Sequence, residues 1–555
     1  MKTRNILLVI LLAAVTVAQA IPAKPGIRRV ITLSDGTTLS VELTGDEYLH
    51  YWQSADGRTF DDNGTLITPF TLQQQRVKAA QRRSKSQTSN LKSQTSNLKP
   101  QPSKALTGDK RGLIILVEFS DLTFKRGHNR QLYNRIANEE GFTNSDGFQG
   151  SVHDYFLDQS RNLFNLTFDV MGPVPMPKPY SYYGQNGGSL DFDLHPGEML
   201  IEACQAIDDE VNFADYDWNG DGIVDQVMMI YAGQGENGGG GSNTVWPHEW
   251  NLTEAEGAPI VLDDMIIDTY ACSNELQGSQ IEGIGTICHE FSHCLGLPDF
   301  YDTQYTGNYG MGNWSVMGSG SYNGGSFIPA GYTSYERMCS GWLDPIVLQG
   351  EMDVTDMAAL TEGGIAYILY NDAYPDEFYM LENRQPNSWD SALSDNGLLI
   401  LHIDYDEMAW YWNLVNSCAD LQDEEYYGPG AVNDHQRCTI FHANNKAISW
   451  GATYPYNDNN SLTPESTPAA TLFNPNSNGE LTMNAAITDI TESANGIISF
   501  HCVAPEPTAI TPPRINLNSQ ISNLKPQPYY TLEGRPVDHP SKGIFIHQGK
   551  KIVVK

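Results

Sequence analysis

The sequence predicts a multidomain α+β protein, and three observations predict it: the chain length, two polar linker segments, and a mixture of helical and strand patterns. The 555 residues exceed what one hydrophobic core normally organises. Hydrophobic residues make up 40% and aromatic residues 10% of the chain, with 50 Gly and 30 Pro, which is typical of folded, loop-rich domains. The formal net charge of −34 repels nucleic acids and anionic membrane surfaces, so neither is an expected partner.

The first twenty residues predict a signal peptide, and therefore a secreted or cell-surface protein. Two basic residues precede an apolar run from Ile6 to Val17, which leads into the small-x-small cleavage pattern Ala18-Gln19-Ala20. A membrane anchor is the alternative, but the run is shorter than the roughly 20 apolar residues that a span needs. Eight cysteines fit an oxidising compartment without forming a disulfide framework. Cys418 and Cys438 are the predicted pair, on proximity alone.

Residues 21–107 are predicted to form a propeptide and a linker. Short apolar runs alternate with turn residues as far as about residue 75, which is the pattern of small β-hairpins. From about Gln73 to Asp109 the composition is polar, and Ser86–Lys92 recurs directly as Ser93–Lys99, so this stretch is expected to be a solvated linker. Its Lys and Arg residues suit an exposed proteolytic site. The hairpin unit could occlude an active site or cap a metal through a side chain such as His50; a permanent domain is the alternative.

Residues 108–345 are predicted to form the catalytic domain. The apolar run Gly112–Phe119 is bounded by turn signals and predicts a buried central strand. A helical stretch near Pro196–Ile207, a strand at Val227–Tyr231 and a glycine-rich loop from Gly233 to Ser242 follow. This order is typical of a mixed α/β domain.

The segment from Gly285 to Asp299 carries a zinc-binding pattern. On a helix, residues four apart share a face, so His289 and His293 can bind one ion while Glu290 reaches a water beside it. A catalytic zinc needs three protein ligands. Gly296 can turn the chain back beneath the metal, which makes Asp299 the predicted third ligand. The alternative is that the two histidines are ordinary core residues of an amphipathic helix.

A downstream methionine turn makes the pattern resemble a known family. Gly312–Tyr322 places Met317 among small residues, where it could form an apolar floor under the metal. Together with Asp299, this resembles the immune inhibitor A family of secreted metallopeptidases, which are similar to metzincins. Further similar stretches are Thr244–Trp250, Met380–Arg384 and Gly397–Asp404. The resemblance covers about residues 112–404, and more loosely extends to about residue 502.

The resemblance implies a metzincin-like zinc-peptidase catalytic domain with a β-rich propeptide before it. It implies zinc at His289 and His293, with Glu290 as the general base. Asp299 matches the family position but departs from the His usual in other metzincins, and Glu336 is the rival carboxylate. His248 and Tyr322 are candidates for stabilising the oxyanion, but a structural role is the favoured interpretation of each.

An acidic loop predicts a structural calcium site. Oxygen ligands recur at alternate positions of a tight loop with Gly222 at its sixth position, as calcium loops require. The predicted ligands are Asp217, Asn219, Asp221, the Ile223 carbonyl and Asp225. The twelfth position is Met228 rather than Glu, so another group such as Asp215 would have to complete the shell. An acidic solvated turn is the alternative.

The remaining chain is predicted to be β-rich. Residues 346–505 alternate apolar and polar residues in short runs, which predicts a β-sandwich-like region. Residues 506–528 form a second linker. Residues 529–555 resemble the C-terminal sorting segments of Bacteroidetes proteins that use the type IX secretion machinery.

Together these features predict a secreted zinc endopeptidase that acts on protein or peptide substrates. One alternative is a calcium-binding surface adhesion protein with a degenerate protease fold, which would not need Glu290 between the histidines. A second is a zinc hydrolase of non-peptide amides or esters, which substrate profiling would distinguish. Cleavage preference depends on pocket shape and does not follow from the sequence.

Overall fold

The structure is a computed structural model. It describes residues 19–33, 35–76, 78–79, 106–187, 192–420, 432–505, 529–530, 536–537, 543–547 and 550–554. Most of the predicted signal peptide and linkers therefore lies outside the described residues. Within the described part of the chain, no helix is both long and apolar enough to cross a membrane.

The N-terminal unit is a small antiparallel sheet, as the hairpin pattern predicts. Its strands are β1 Gln19–Ala20, β2 Arg28–Thr32, β3 Thr38–Gly45, β4 His50–Ser54, β5 Thr59–Phe60 and β6 Leu66–Ile67. The strands β2 to β6 pair in sequence order, whereas β1 leaves the unit and joins the sheet of the following domain. The apolar core of the unit includes Val41, Trp52 and Phe60, and it closes on Trp246 of that domain.

The next domain is built on a mostly parallel sheet. Its strands are β7 Gly108–Glu118, β8 Phe164–Pro175, β9 Val227–Gln234, β10 His248–Asn251, β11 Ile260–Leu262, β12 Met265–Ile267, β13 Thr269–Gln277 and β14 Gln280–Ile281. The order in the main sheet is β1-β10-β13-β9-β7-β8, with β14 on β13. The strands β8, β7, β9 and β13 are parallel, and β10 runs antiparallel to β13. The predicted strands at Gly112–Phe119 and Val227–Tyr231 correspond to β7 and β9.

Helices cover both faces of this sheet. The helices include Arg130–Asn138, Val152–Gln159, Tyr180–Tyr183, Pro196–Ile207, Leu252–Glu256, Gly285–Cys294, Ser334–Cys339 and Glu407–Tyr411. In β7, Ile114 and Leu116 face a core that contains Phe291, while Leu113 and Ile115 face the core of the Pro196–Ile207 helix. Because both faces are covered, the central part of the strand is continuously apolar rather than alternating.

Three further sheets, of five, three and two strands, follow in the region 346–505, and β20 and β21 form the smallest. Their strands are β15 Ile346–Val347, β16 Glu351–Met357, β17 Tyr367–Tyr370, β18 Glu377–Arg384, β19 Gly397–Asp404, β20 Ala419–Asp420, β21 Val432–Asn433, β22 Cys438–Ile440, β23 Ala486–Glu492 and β24 Ile498–Val503. A five-stranded sheet, β15-β17-β18-β19-β22, and a three-stranded sheet, β16-β24-β23, share one core to which Leu381 and Phe500 both contribute. Two sheets around a shared core are typical of a sandwich-like unit.

The C-terminal stretches form a four-stranded sheet. Its strands are β25 Tyr529–Tyr530, β26 Pro536–Val537, β27 Gly543–His547 and β28 Lys550–Val554, in the order β26-β25-β27-β28. The resemblance of this segment to sorting segments stays a prediction. Cys418 and Cys438 do not form a disulfide with each other, so the predicted pair is wrong. Proximity in the sequence did not bring the two sulfurs together.

Candidate active site and metal centre

The helix Gly285–Cys294, here called the motif helix, is enclosed on all sides. All ten of its residues are buried. A Cβ atom at Gly285 would lie 1.8 Å from the carbonyl oxygen of Ser321, so only glycine allows the helix to begin against that segment. The helix ends before Gly296, whose φ of +98° is a left-handed conformation that glycine adopts without strain. The chain thus turns back beneath the helix, as the sequence predicts.

Three ligand atoms converge at one point beside this helix. The Nε2 atoms of His289 and His293 are 3.1 Å apart, and Asp299 Oδ1 lies 3.2 Å from the first and 3.4 Å from the second. Zinc bonds of about 2.0–2.2 Å in a tetrahedral shell put ligand atoms roughly 3.3–3.6 Å apart. The observed spacings are close to that range, so the three atoms fit a shared zinc ion.

Backbone carbonyls orient both imidazoles. His289 Nδ1 donates to the carbonyl of Val316 at 2.7 Å, and His293 Nδ1 donates to the carbonyl of Leu297 at 2.8 Å. With the proton on Nδ1, each ring points the lone pair of its Nε2 toward the other. Such outer hydrogen bonds fix the tautomer that metal ligation requires.

Asn413 holds Asp299 in place from outside the motif. The Asp299 N–H donates to Asn413 Oδ1 at 2.7 Å, and Asn413 Nδ2 donates to Asp299 Oδ2 at 2.6 Å. Asp299 Oδ1 is buried and has no hydrogen bond among the described residues. Burial opposes ionisation of this carboxyl, but the two imidazoles outweigh it and lower the pKa of Asp299. The oxygen facing the histidines is therefore an anionic ligand atom.

Glu336, the rival carboxylate, supports the methionine turn instead of facing the histidines. Its Oε2 accepts the Thr333 N–H at 2.6 Å and its Oε1 accepts the Ser315 hydroxyl. The Ser315 oxygen in turn accepts the Met317 N–H at 3.0 Å. Met317 itself is buried, and its segment reaches the histidines through the carbonyl of Val316. The structure thus places Asp299, and not Glu336, with the two histidines.

Glu290 lies beside the three ligand atoms. A carboxylate oxygen of Glu290 is within 4.8 Å of an imidazole nitrogen of each histidine. Its Oε1 accepts the Ile21 N–H at 2.8 Å, and its Oε2 is buried without a hydrogen bond among the described residues. Burial, together with the charge of Asp299, raises the pKa of the Glu290 carboxyl. Such a group is suited to accept and release a proton.

The chain around Ile21 fills the cleft next to Glu290. Residues 19 and 20 pair antiparallel with β10, with Ala20 opposite His248. The carbonyl of Ala20 accepts the Tyr301 hydroxyl at 2.7 Å, and that of Ile21 accepts Trp246 Nε1–H at 2.8 Å. This extended segment therefore binds along the sheet edge through its main chain.

The two candidates for oxyanion stabilisation have different positions. His248 Nδ1 lies 2.6 Å from the carbonyl of Trp246 and its Nε2 3.2 Å from the Tyr270 hydroxyl, and burial lowers its pKa to about 4. These contacts lie within the sheet, so His248 is structural. The hydroxyl of Tyr322 donates to the carbonyl of Pro22 at 2.6 Å, next to the residue that touches Glu290. Tyr322 therefore can bind a main-chain carbonyl in the cleft.

The predicted calcium loop is a compact turn. Asp217 Oδ1 accepts the N–H groups of Asn219, Gly220 and Asp221, and Asp217 Oδ2 accepts that of Gly222. Asp225 Oδ2 accepts the Trp218 N–H. These bonds bring the predicted side chains onto one loop, but they do not distinguish a calcium site from an acidic turn. The calcium site stays a prediction.

His50, considered as a cap for the metal, faces a different carboxylate. Its Nε2 is 3.2 Å from Glu236 Oε1, and its ring stacks on Trp246.

Nothing in the sequence indicates the roles of Asn413 and Tyr301, because those roles depend on tertiary contacts. The role of Glu336 had a local signal: Thr333-Ser334-Tyr335-Glu336 fits a capping box, which the structure contains.

Comparison with known proteins finds a family model that is similar to this region. Residues 103–340 match the family model described as Immune inhibitor A peptidase M6, catalytic domain. This part of the chain is therefore similar to peptidase M6 catalytic domains. The match supports the family and the metallopeptidase class predicted from the motif.

Two curated relatives are similar to part of this chain. The pre-pro-metalloprotease PrtV of Vibrio cholerae serotype O1 is 29% identical over 264 residues, which cover 40% of this chain and 29% of the relative. Immune inhibitor A of Bacillus thuringiensis subsp. alesti is 28% identical over 267 residues, which cover 40% of this chain and 38% of the relative. The chain thus matches well under half the length of either protein.

Proposed function

We propose that the protein is a secreted zinc-dependent endopeptidase in which His289, His293 and Asp299 hold the metal and Glu290 is the general base. The convergence of the three ligand atoms beside the Glu290 carboxylate carries the proposal. Histidine and carboxylate ligands with an open fourth position form an ordinary catalytic zinc set. An adhesion protein with a degenerate site would not need this combination, so the geometry favours the enzyme.

Each side chain has a defined task in hydrolysis. Zinc held at this site supplies Lewis acidity, which makes water more acidic and the scissile carbonyl more electrophilic. Glu290 accepts the proton of the attacking water and then donates it to the leaving amine, so no covalent intermediate forms. The Tyr322 hydroxyl, whose pKa burial raises, stays protonated and can donate to the carbonyl oxygen as negative charge develops.

Replacing Glu290 tests this assignment. Glu290→Gln preserves size and packing but leaves an amide that cannot accept the proton, so peptide and casein hydrolysis should be lost while zinc stays bound. The measurement pairs a peptide-cleavage assay with the zinc content of the same preparation. Near-normal turnover by the variant would rule out the mechanism, and loss of zinc would leave the metal ligands, rather than the base, as the cause.

We further propose that the N-terminal unit keeps the enzyme latent. Ile21 is completely buried, and its N–H donates to the Glu290 carboxylate. The carbonyl of Pro22 accepts the Tyr322 hydroxyl. Substrate therefore cannot reach Glu290 or Tyr322 while the unit is docked. Arg76 Nη2 adds a contact to the carbonyl of Tyr305. Cleavage of the signal peptide after Ala20 would make the Ile21 nitrogen an α-amino group facing the Glu290 carboxylate, which would strengthen that contact. Tethering through the linker keeps the segment at a high effective concentration.

Limited proteolysis tests latency. A chain beginning at Ile21 is incubated with trypsin while the new N-terminus is sequenced and peptide hydrolysis is followed over time. Hydrolysis should rise as the linker between residues 80 and 105 is cut. The same incubation with Glu290→Gln controls for cleavage by trypsin itself. If the uncut chain is as active as the cut one, the N-terminal unit is a permanent domain.

A structural calcium ion at the loop Asp217–Asp225 is also part of the proposal. The loop supplies hard oxygen donors at alternate positions, which is the arrangement that calcium prefers. It lies directly before β9, a central strand of the sheet. Calcium there would stabilise the fold rather than take part in hydrolysis.

A further inference from the structure

A second group of potential metal ligands lies where the N-terminal unit meets the catalytic domain. His50 and Asp62 come from the N-terminal unit and Glu236 from the catalytic domain, and one ligand atom of each lies within 4.8 Å of the others. His50 Nε2 and Glu236 Oε1 are 3.2 Å apart, the same spacing as His289 Nε2 and Asp299 Oδ1. His50 is 2% exposed and Glu236 is 4% exposed. His50 and Glu236 are therefore shielded from water, while the side chain of Asp62 is 22% exposed.

The orientation of His50 leaves its Nε2 available. Its Nδ1 lies 3.1 Å from the carbonyl of Asp46, an acceptor, so the ring proton is on Nδ1. The ring stacks on Trp246 with centroids 5.1 Å apart, which fixes its direction. Nε2 is buried and makes no well-aligned hydrogen bond among the described residues. Its lone pair thus points into a space bordered by two carboxylates.

Both carboxylates are anchored and keep ligand capacity. Asp62 Oδ1 accepts the Trp52 Nε1–H at 2.8 Å, while Asp62 Oδ2 is buried without a hydrogen bond in the described chain. Glu236 Oε1 accepts Asn186 Nδ2–H at 3.2 Å, which leaves room for a second partner on that oxygen. Buried anionic oxygens without partners are costly unless a cation neutralises them.

A further buried carboxyl group and one guanidinium border the cluster. Asp193 is buried and interacts electrostatically with Glu236, and the guanidinium of Arg29 lies 3.9 Å from the Asp62 carboxylate while it donates to the Asp62 carbonyl at 2.9 Å. Two carboxylates beside one neutral imidazole favour a divalent cation through Coulomb attraction.

We propose that His50, Asp62 and Glu236 hold a second zinc ion that ties the N-terminal unit to the catalytic domain. One imidazole and two carboxylates are ligands that zinc accepts in a tetrahedral shell. Because the ligands come from both sides of the contact, the ion binds the docked arrangement and stabilises it by mass action. The site is separate from the catalytic one and does not depend on peptide hydrolysis.

Zinc stoichiometry tests the site in the chain beginning at Ile21, with Glu290→Gln present in every sample to prevent self-cleavage. After equilibration with zinc and gel filtration, mass spectrometry of the metal should find about two zinc ions per chain. Glu236→Gln and Asp62→Asn, which change one ligand on either side of the contact, should each lower the value to about one. Asp193→Asn is the matched control: it removes a neighbouring buried carboxylate outside the ligand set and should leave two.

The zinc counts of further variants distinguish this site from the catalytic one. His289→Ala should also leave about one zinc, and its combination with Glu236→Gln should leave none. One zinc in the parent chain would overturn the proposal and leave an imidazolium as the cation of this cluster. A second zinc that survives both Glu236→Gln and Asp62→Asn would lie elsewhere, and would also overturn it. Using variants on both sides of the contact keeps the test decisive if one of them fails to fold.

Discussion

Asn413 offers a sharp test of how the candidate zinc site is held. It lies 114 residues after Asp299 and exchanges two hydrogen bonds with it, at 2.7 and 2.6 Å. Both residues are buried, at 1% exposure each. Asn413→Ala removes both bonds without touching a ligand atom. We therefore expect weaker zinc binding with the ligand set unchanged.

The expected loss can be estimated from the contacts. A hydrogen bond to a charged group contributes about 1.5–3 kcal/mol, and here the charged group is the carboxylate of Asp299. Removing an outer partner of a metal ligand typically lowers metal affinity about 10–100-fold, which is about 1.4–2.7 kcal/mol. The two estimates agree, so the zinc dissociation constant of Asn413→Ala should rise about 10–100-fold.

Competition for zinc against chelators of graded affinity measures the zinc dissociation constant of Asn413→Ala. Peptide hydrolysis by the same variant is followed at saturating zinc. Asn416→Ala is the matched control. Asn416 is also buried and donates to the carbonyls of Phe300 and Cys438 at 2.8 Å, but neither of these bonds reaches Asp299. Activity of Asn413→Ala should recover when zinc is saturating. An unchanged dissociation constant, or an equal change in Asn416→Ala, would refute the reasoning.

Three further outcomes are expected from the same structure. Asp299→Ala should lower the zinc content of the purified chain far more than Glu336→Ala, and equal metal content in the two variants would remove Asp299 from the ligand set. Calcium should raise the thermal midpoint of the protein, and Asp221→Ala should abolish that rise; a response that survives places the ion elsewhere. Arg384→Met should reduce the free energy of unfolding by about 3–5 kcal/mol, because Arg384 pairs with two buried carboxylates. Denaturant titration measures this loss, and a value below about 1 kcal/mol would contradict the prediction.

The sequence predicts those residues of the candidate site that lie close together along the chain. His289, Glu290 and His293 follow from the geometry of one helical turn, and Asp299 follows from a glycine turn a few residues later. Glu336 remained a rival because a carboxylate on a nearby helix satisfies the same chemical requirement. Only the fold shows that its oxygens are engaged by Ser315 and Thr333.

The same distinction applies to the fold. The buried strand β7 and the helix Pro196–Ile207 follow from apolar runs and periodicity, which are properties of neighbouring residues. The pairing of β1 with β10 joins residues more than two hundred positions apart, and no periodicity encodes it. The predicted disulfide failed for the same reason, since closeness along the chain does not determine closeness in space.

The positioning contacts also show that the candidate site extends beyond the matched catalytic domain. The family match ends at residue 340, yet Asn413 fixes Asp299. Arg384 donates to the carbonyl of Trp314, within the methionine turn, at 3.2 Å and to that of Gly331, after the turn, at 3.1 Å. That turn supplies the carbonyl of Val316 that orients His289. The region after residue 345 therefore supports the candidate metal ligands, because without it both Asp299 and the methionine turn would lose buried hydrogen-bond partners.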